Sequence, residues 1–383
     1  MNLLIHDLDN SKWEKIKSEY DGWDIVTADD GIRPCIGCFS CWAKTPGECV
    51  LKDGFNLMGQ KIHNADSVTV ISRYTYGGFS GKVKNIFDRS LGYVLPQFEL
   101  SSGETHHKKR YEEDKEFTFI FYGPELTEEK KDSAKRYVEA VCANVRSHVK
   151  EVIFRETAEW GKKIQRECDP AEGPEKTAIL VASMRGMSGN TGKLARKLIS
   201  QLDETPDIVE LKNYLNDLSG LVNTLEKYST LLLCMPLYVD GIPSQMIRLL
   251  ESFESEYNGR KKKIYLISNM GLYESSQLRN LFESVKQWCM VMDFDYCGGV
   301  GISAGELIGV LMQYLPFRFG FTGKIARAID RLAEAIREGS NTEDIFAEPF
   351  MFPRILFMLI ANYSWNVNAR KNGIKPAELY RRL

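Results

Sequence analysis

Apolar runs of strand length recur through the second half of this chain at 177–182, 208–211, 230–235, 263–268 and 294–302. Between them lie stretches with apolar residues at helical spacing, at 191–202, 215–228, 243–254, 275–289 and 323–338. Strands alternating with helices of ten or more residues predict a parallel sheet with helices on both faces. The first half repeats the rhythm more loosely, with strands expected at 2–6, 23–27, 67–72, 117–122 and 151–155 and helices near 11–20, 55–63, 80–91 and 127–146. The segment 156–175 carries Pro/Gly breaks and dense mixed charge, as a linker would. The pattern therefore predicts one module over 1–155, a linker at 156–175, a second module over 176–340 and an extension over 341–383.

Five strands in this rhythm favour the flavodoxin-like order, in which ligands sit at the switch point near the first and third strands. The fold class expected is α/β, with two tandem flavodoxin-like, doubly wound, five-stranded parallel sheets and an apolar C-terminal extension. The stretch SVTVISRYTYGGFSGKVKNIFDR in the first half matches STLLLCMPLYVDGIPSQMIRLLE in the second in length and plan. Each puts an aromatic and a glycine just past the third strand and then enters a helix.

The most informative piece is TAILVASMRGMSGNT, a strand ending in a Ser/Gly-rich loop that runs directly into the helix GKLARKLISQL. Free amides, the polar side chains of Ser183, Ser188, Asn190 and Thr191, and Arg185 surround a helix N-terminus, a setting that suits a phosphate. Neither GxGxxG nor GxxxxGK[ST] is present. A hydroxyl-rich loop without lysine suits a single terminal phosphate, such as that of FMN, better than a triphosphate with its magnesium. An ordinary βα turn would look the same from this loop alone.

The run P-L-Y-x-x-G-x-P between strand and helix, preceded by a Ser/Asn/Thr phosphate loop, resembles the flavodoxin-like NAD(P)H-dependent FMN reductases. The segment CIGCFSCWAKTPGEC resembles one carried by many of them, including the iron–sulfur flavoproteins. The resemblance implies a phosphate loop at Ser183, Arg185, Ser188, Asn190 and Thr191. It also implies a ring-facing loop at Pro236, Leu237, Tyr238, Asp240 and Gly241, with Asn269, Gly271 and Tyr273 near the ring's other edge. Tyr238 and Tyr273, taken singly, read rather as loop-packing aromatics, and beside the phosphate loop as ring contacts. The first half departs from the pattern: HDLDNSKW puts Asp7 and Asp9 where a phosphate would be repelled, and Arg73 stands in place of the usual proline. Arg73, Tyr74, Tyr76 and Gly77 would then serve a nicotinamide, a partner or only packing.

Cys35, Cys38, Cys41 and Cys49 follow C-x2-C-x2-C-x7-C, with Gly37 and Gly47 easing the turns. Compact thiolate sets suit an iron–sulfur cluster or zinc, while free or redox-active thiols in a packed loop remain open. The resemblance implies a 4Fe-4S cluster here. His106 and His107, with Glu104, read as an exposed polar loop. No Ser-His-Asp, H-E-x-x-H or paired-carboxylate motif occurs, so no catalytic side chain is nominated.

With 43% hydrophobic and 27% charged residues and a net charge of −2, the chain falls in the globular range and advertises no nucleic-acid partner. Nine cysteines without a secretory signal suggest a reducing cytoplasm. The Phe/Met/Leu-rich tail, ILFMLIANY included, is too short to span a bilayer and reads as packing against a domain or a dimer partner. It could also shape an apolar pocket, with membrane-surface contact a weaker option. The resemblance implies FMN as cofactor, NAD(P)H as donor, a small-molecule or protein acceptor and a homo-oligomer. Two further roles stay open: an iron–sulfur electron carrier and a flavin-free scaffold.

Overall fold

The computed structural model describes residues 1–157, 176–318 and 320–383. The chain divides into two compact units, Met1–Trp160 with Met358–Leu383, and Gly161–Phe357. All but Glu156 and Thr157 of the linker expected at 156–175 lies outside the described residues.

The first unit contains β1 (Leu3–His6), β2 (Asp24–Thr27), β3 (Val68–Thr75), β4 (Gly78–Phe79), β5 (Val94–Ser101), β6 (Glu104–Lys109), β7 (Glu116–Gly123) and β8 (His148–Glu156). Its helices are α1 (Asn10–Ile16), α2 (Ser40–Ala43), α3 (Met58–Asn64), α4 (Gly81–Arg89) and α5 (Glu128–Asn144). Five strands pair in parallel in the order β2-β1-β3-β7-β8, with β4 folded back on the end of β3. The order is the one expected. Phe79, Phe87, Phe117, Phe119 and Phe121 form one aromatic stack in its core, with ring centroids 4.8–6.3 Å apart.

The second unit contains β9 (Thr177–Val181), β10 (Asp207–Glu210), β11 (Thr230–Pro236), β12 (Lys263–Asn269), β13 (Asp295–Ile302) and β14 (Ile345–Ala347). Its helices are α6 (Asn190–Ile199), α7 (Leu218–Glu226), α8 (Ser244–Glu256), α9 (Arg279–Met292), α10 (Gly305–Tyr314) and α11 (Gly323–Glu338). The order β10-β9-β11-β12-β13-β14 repeats the five-strand plan and adds a sixth parallel strand. The central strands β9, β11 and β12 are apolar along their middles and polar only at their ends, because helices cover both faces. Ile179, Val181, Leu232, Ile267 and Ile302 meet Leu194, Leu198, Ile308, Ile325 and Ile329 in a continuous core.

Three elements were not legible in the pattern. The β5–β6 hairpin occupies a stretch read as polar loop, and β14 extends the sheet from a segment assigned to the tail. Helix α10 arises from GELIGVLMQY, whose two glycines and continuous apolarity mask its period. The last helix, α12 (Arg354–Lys371), follows Pro349 and Pro353. No helix among the described residues is long and apolar enough to cross a membrane.

Candidate functional site

The strands of the second unit deliver three loops to one carboxyl edge, and the Ser183–Thr191 loop is the first of them. After β9, Ser183 is buried and its carbonyl accepts from Gly186 N at 2.8 Å. Ser188 Oγ donates to Arg185 O at 2.6 Å, closing the loop on itself. Met187 N donates to Glu210 Oε1 at 2.6 Å, and this amide, with Lys212, holds the Glu210 carboxyl below its ordinary range. The loop enters α6 through Gly189, whose extended backbone (φ −75°, ψ 172°) is a normal N-cap geometry. Gly189 has no side chain to cap with, so the first-turn amides of α6 receive no side-chain capping bond. These amides keep their donors and the positive end of the helix dipole available to an anion.

Thr191 Oγ1 donates to Asn269 Oδ1 at 2.7 Å, and both residues are buried. Asn269 O in turn accepts from Leu237 N at 2.8 Å, so one residue at the end of β12 ties together the first and third loops. The third-strand loop closes as a tight turn in which Tyr238 and Gly241 exchange backbone hydrogen bonds of 3.1 and 3.0 Å. Val239 and Asp240 both carry positive φ (37° and 57°), the geometry of a type I′ turn. A β-branched residue in that region is rare, so the surrounding structure must hold it there. Asp240 is buried, while Pro236, Leu237 and Tyr238 are half-buried along the rim.

Of the expected site residues, Thr191, Asn269 and Leu237 are joined by these bonds, while two others lie apart from them. Gly271 is exposed with open space around it. Tyr273 is held by the chain that follows β14: its hydroxyl donates to Phe352 O at 2.5 Å and its ring lies 5.4 Å from that of Phe357. Burial raises its phenol, with Glu348 and Glu274 adding to the effect. The pattern missed α10, which brings Glu306 within 3.1 Å of Arg185 and the Gly309 carbonyl within 3.3 Å of Lys193 Nζ. Two glycines four residues apart, Gly305 and Gly309, were the only cue to its close packing.

The corresponding edge of the first unit is built differently. Helix α1 is capped by Asp9, whose Oδ1 accepts from Lys12 N at 2.9 Å and from Ser11 Oγ at 2.7 Å. Hydrogen bonding with the Lys12 side chain, with Ser11 and the Lys12 amide adding, holds this carboxyl far below its ordinary range. Asp7 accepts from Arg73 N at 3.1 Å and from Tyr122 Oη at 3.1 Å. Its burial outweighs these bonds and raises its pKa. The turn after β3 keeps the type I′ form, with Tyr76 and Gly77 at φ 48° and 88°.

The cysteine segment also lies in the first unit. Cys35, Cys41 and Cys49 are half-buried and Cys38 is exposed. Burial pushes the Cys35 thiol up to about 12, with the Asp88 carboxylate adding to it, and also raises Cys41 well above its ordinary value. The Cys35 amide donates to Asn85 Oδ1 at 3.3 Å, and Trp42 Nε1 donates to Leu91 O at 2.9 Å. Arg89, which reaches Cys49, also holds Asp53 and the Leu51 carbonyl at 2.5–2.9 Å. Beneath lies a fully buried Lys84–Asp88 ion pair. Among the described residues no three His, Cys, Asp or Glu side chains are grouped as a metal ion needs. Four thiols are donors of the kind that zinc and iron–sulfur clusters take.

His106 and His107 are not an exposed pair. Both sit on β6, where His106 is buried with Nδ1 3.0 Å from Asn144 Oδ1. His107 packs on Trp42 and Phe98, and burial lowers it to about 4. Pairing with β5 turns these polar positions inward, a consequence of long-range contact that local polarity does not carry.

No family model matches the chain. An iron–sulfur flavoprotein of Methanocaldococcus jannaschii is 34% identical over 86 residues, which is 21% of this chain and 42% of that protein. The chain therefore spans about two fifths of the length of the curated relative it matches. It resembles the iron–sulfur flavoproteins. Among solved structures, the Trp repressor binding protein of Bacillus subtilis aligns with 41% of this chain and 96% of its own at 16% identity, with a TM-score of 0.31. An FMN-dependent NADH-azoreductase of Bacillus anthracis, in complex with FMN, aligns with 44% and 100% at 12% identity, with a TM-score of 0.33.

Proposed function

We propose that the second unit seats FMN and that the chain is a flavin oxidoreductase, taking reducing equivalents from NAD(P)H and passing them to an acceptor. The observation that carries this is the uncapped start of α6 at the switch point, bordered by Ser183, Ser188 and Thr191. It supplies donors and positive potential with no side chain of its own to satisfy them. The partial identity to an iron–sulfur flavoprotein supports the same reading. FMN, when bound, supplies hydride acceptance and one- or two-electron delivery. The residues of this chain bind and orient: the α6 amides and Arg185 take the phosphate, and the Tyr238–Gly241 turn lets backbone approach the ring edge. Asn269 sets the spacing between those two loops. No side chain is assigned a proton-transfer role.

A second reading is favoured by the cysteine segment: Cys35, Cys38, Cys41 and Cys49 hold an iron–sulfur cluster and the chain carries single electrons. Free thiols at all eight described cysteines fit a reducing compartment for either role. The test is the visible spectrum of protein purified without air, with iron and acid-labile sulfide measured on the same sample. Flavin bands without iron support the reductase, and flavin bands with iron and sulfide support the carrier. Colourless protein that refuses added FMN overturns both and leaves a scaffold.

A further inference from the structure

The helix that the sequence pattern did not reveal lies directly on the proposed phosphate seat. In α10, Gly305 and Gly309 share one face at i, i+4 spacing. A Cβ at 309 would stand 2.2 Å from Asn190 Oδ1, and one at 305 would stand 2.8 Å from Asn269 Nδ2. Only glycine at these positions lets the helix backbone come this close to two side chains of the site. Glu306, on the first turn, forms an ion pair with Arg185 at 3.1 Å, and the pair is about half exposed (45% and 57%). Lys193, one turn into α6, donates to the Gly309 carbonyl at 3.3 Å. The helix is entered through Ala304, a non-glycine residue at φ 51°, and left by way of Pro316 and Gly320.

We propose that α10 is a lid on the phosphate seat, in which the Glu306 carboxylate occupies Arg185 until the flavin phosphate displaces it. The inference rests on the FMN reading above. Its physical basis is competition of two anions for one guanidinium. With Glu306 on Arg185 the lid is closed; a dianionic phosphate offers that arginine more charge and also takes the α6 amides, which Glu306 does not reach. Freed from Arg185, the Glu306 side chain is repelled by the phosphate and turns away from the seat, while α10 keeps its place through buried Ile308 and the 2.7 Å bond from Gly305 N to Met270 O. An exposed ion pair is a weak latch, so the Glu306 carboxylate gives way readily and biases affinity without abolishing it.

The test uses the full chain freed of flavin, the variants Glu306→Gln and Gly309→Ala, and FMN itself as the probe. Flavin fluorescence quenching reads the affinity and hydrogen exchange reads the α10 amides. Glu306→Gln removes the competing charge and is expected to bind FMN about two- to fivefold more tightly. Gly309→Ala, which wedges the lid off Asn190, is expected to speed exchange in α10 before FMN is added. In the wild-type protein, FMN should alter α10 exchange while leaving β9 and β11 unchanged. Equal FMN affinity in wild type and Glu306→Gln, with unchanged α10 exchange, overturns the lid and leaves the flavin site standing. Absence of FMN binding in every variant, with the fold intact by circular dichroism, overturns the flavin reading and the lid with it.

Discussion

The two units share a sheet order and a turn, and differ at the residue that caps the helix after the first strand. In the first unit Asp9 caps α1 with its own carboxylate; in the second, Gly189 leaves α6 uncapped. A carboxylate at this point does for the helix what a bound phosphate would do, satisfying an amide and countering the dipole. The first helix end is capped from within the chain, and the second carries no side-chain cap. The same strand-loop-helix frame thus carries one end satisfied by its own carboxylate and one whose first-turn amides have no side-chain cap.

A second contrast gives the largest expected effect. All five histidines lie in the first unit, and burial holds His6 and His107 at about 4. Between pH 6.5 and about 4 the unfolded first unit takes up protons on these rings and the folded one does not. Stability is therefore full above pH 6.5 and is lost as pH falls towards 4. With solvent screening of half-buried His107 allowed for, the two rings amount to about 3–5 kcal/mol. Asp7, raised by burial, acts in the opposite sense and offsets part of it. Hydrogen exchange at pH 7 and pH 4.5 should show β1, β3 and β7 losing protection while β9, β11 and β12 keep theirs. Equal loss in both units would break the contrast.

Gly189→Asp should convert the receptive seat into the self-capped kind. The substituted backbone is compatible with the cap, although a Cβ there sits only 3.1 Å from that of Arg185. Loss of charge-assisted bonds to the phosphate predicts FMN affinity about thirtyfold weaker, read by fluorescence titration. An affinity within twofold of wild type would mean that the α6 amides do not hold the phosphate.

Thr191→Val removes the hydroxyl that Asn269 accepts, leaving a buried carbonyl oxygen unsatisfied. The second unit should lose about 1–2 kcal/mol in urea unfolding, while the first unit is unaffected. The smallest effect is expected from Asp9→Ala, which uncaps α1: a slight fall in melting temperature and no change in FMN binding. Gain of a second FMN equivalent in that variant would show the first seat to be closed by Asp9 alone, without Asp7.

The parallel order of both sheets was legible because strands buried on both faces must be apolar along their whole length and the helices between them amphipathic. The Ser183–Thr191 loop was legible as a strand-to-helix connection, since small and hydroxyl-bearing residues interrupt both the strand and the helix pattern. The hairpin β5–β6 was not, since Thr105 and His106 are polar residues that become buried only through contacts with distant chain. Nor was α10, whose glycines argue against a helix locally and earn their place only against Asn190 and Asn269.

The sequence by itself determined the strand-and-helix rhythm, the duplicated plan and the hydroxyl-rich composition of the Ser183–Thr191 loop, because each is written in local spacing and residue type. The tertiary structure alone decided that Asn269 joins two loops, that Tyr273 is held by the segment after β14, and that Glu306 meets Arg185 across 121 positions. Those pairings depend on which strand ends the sheet sets side by side, and no local pattern encodes that adjacency.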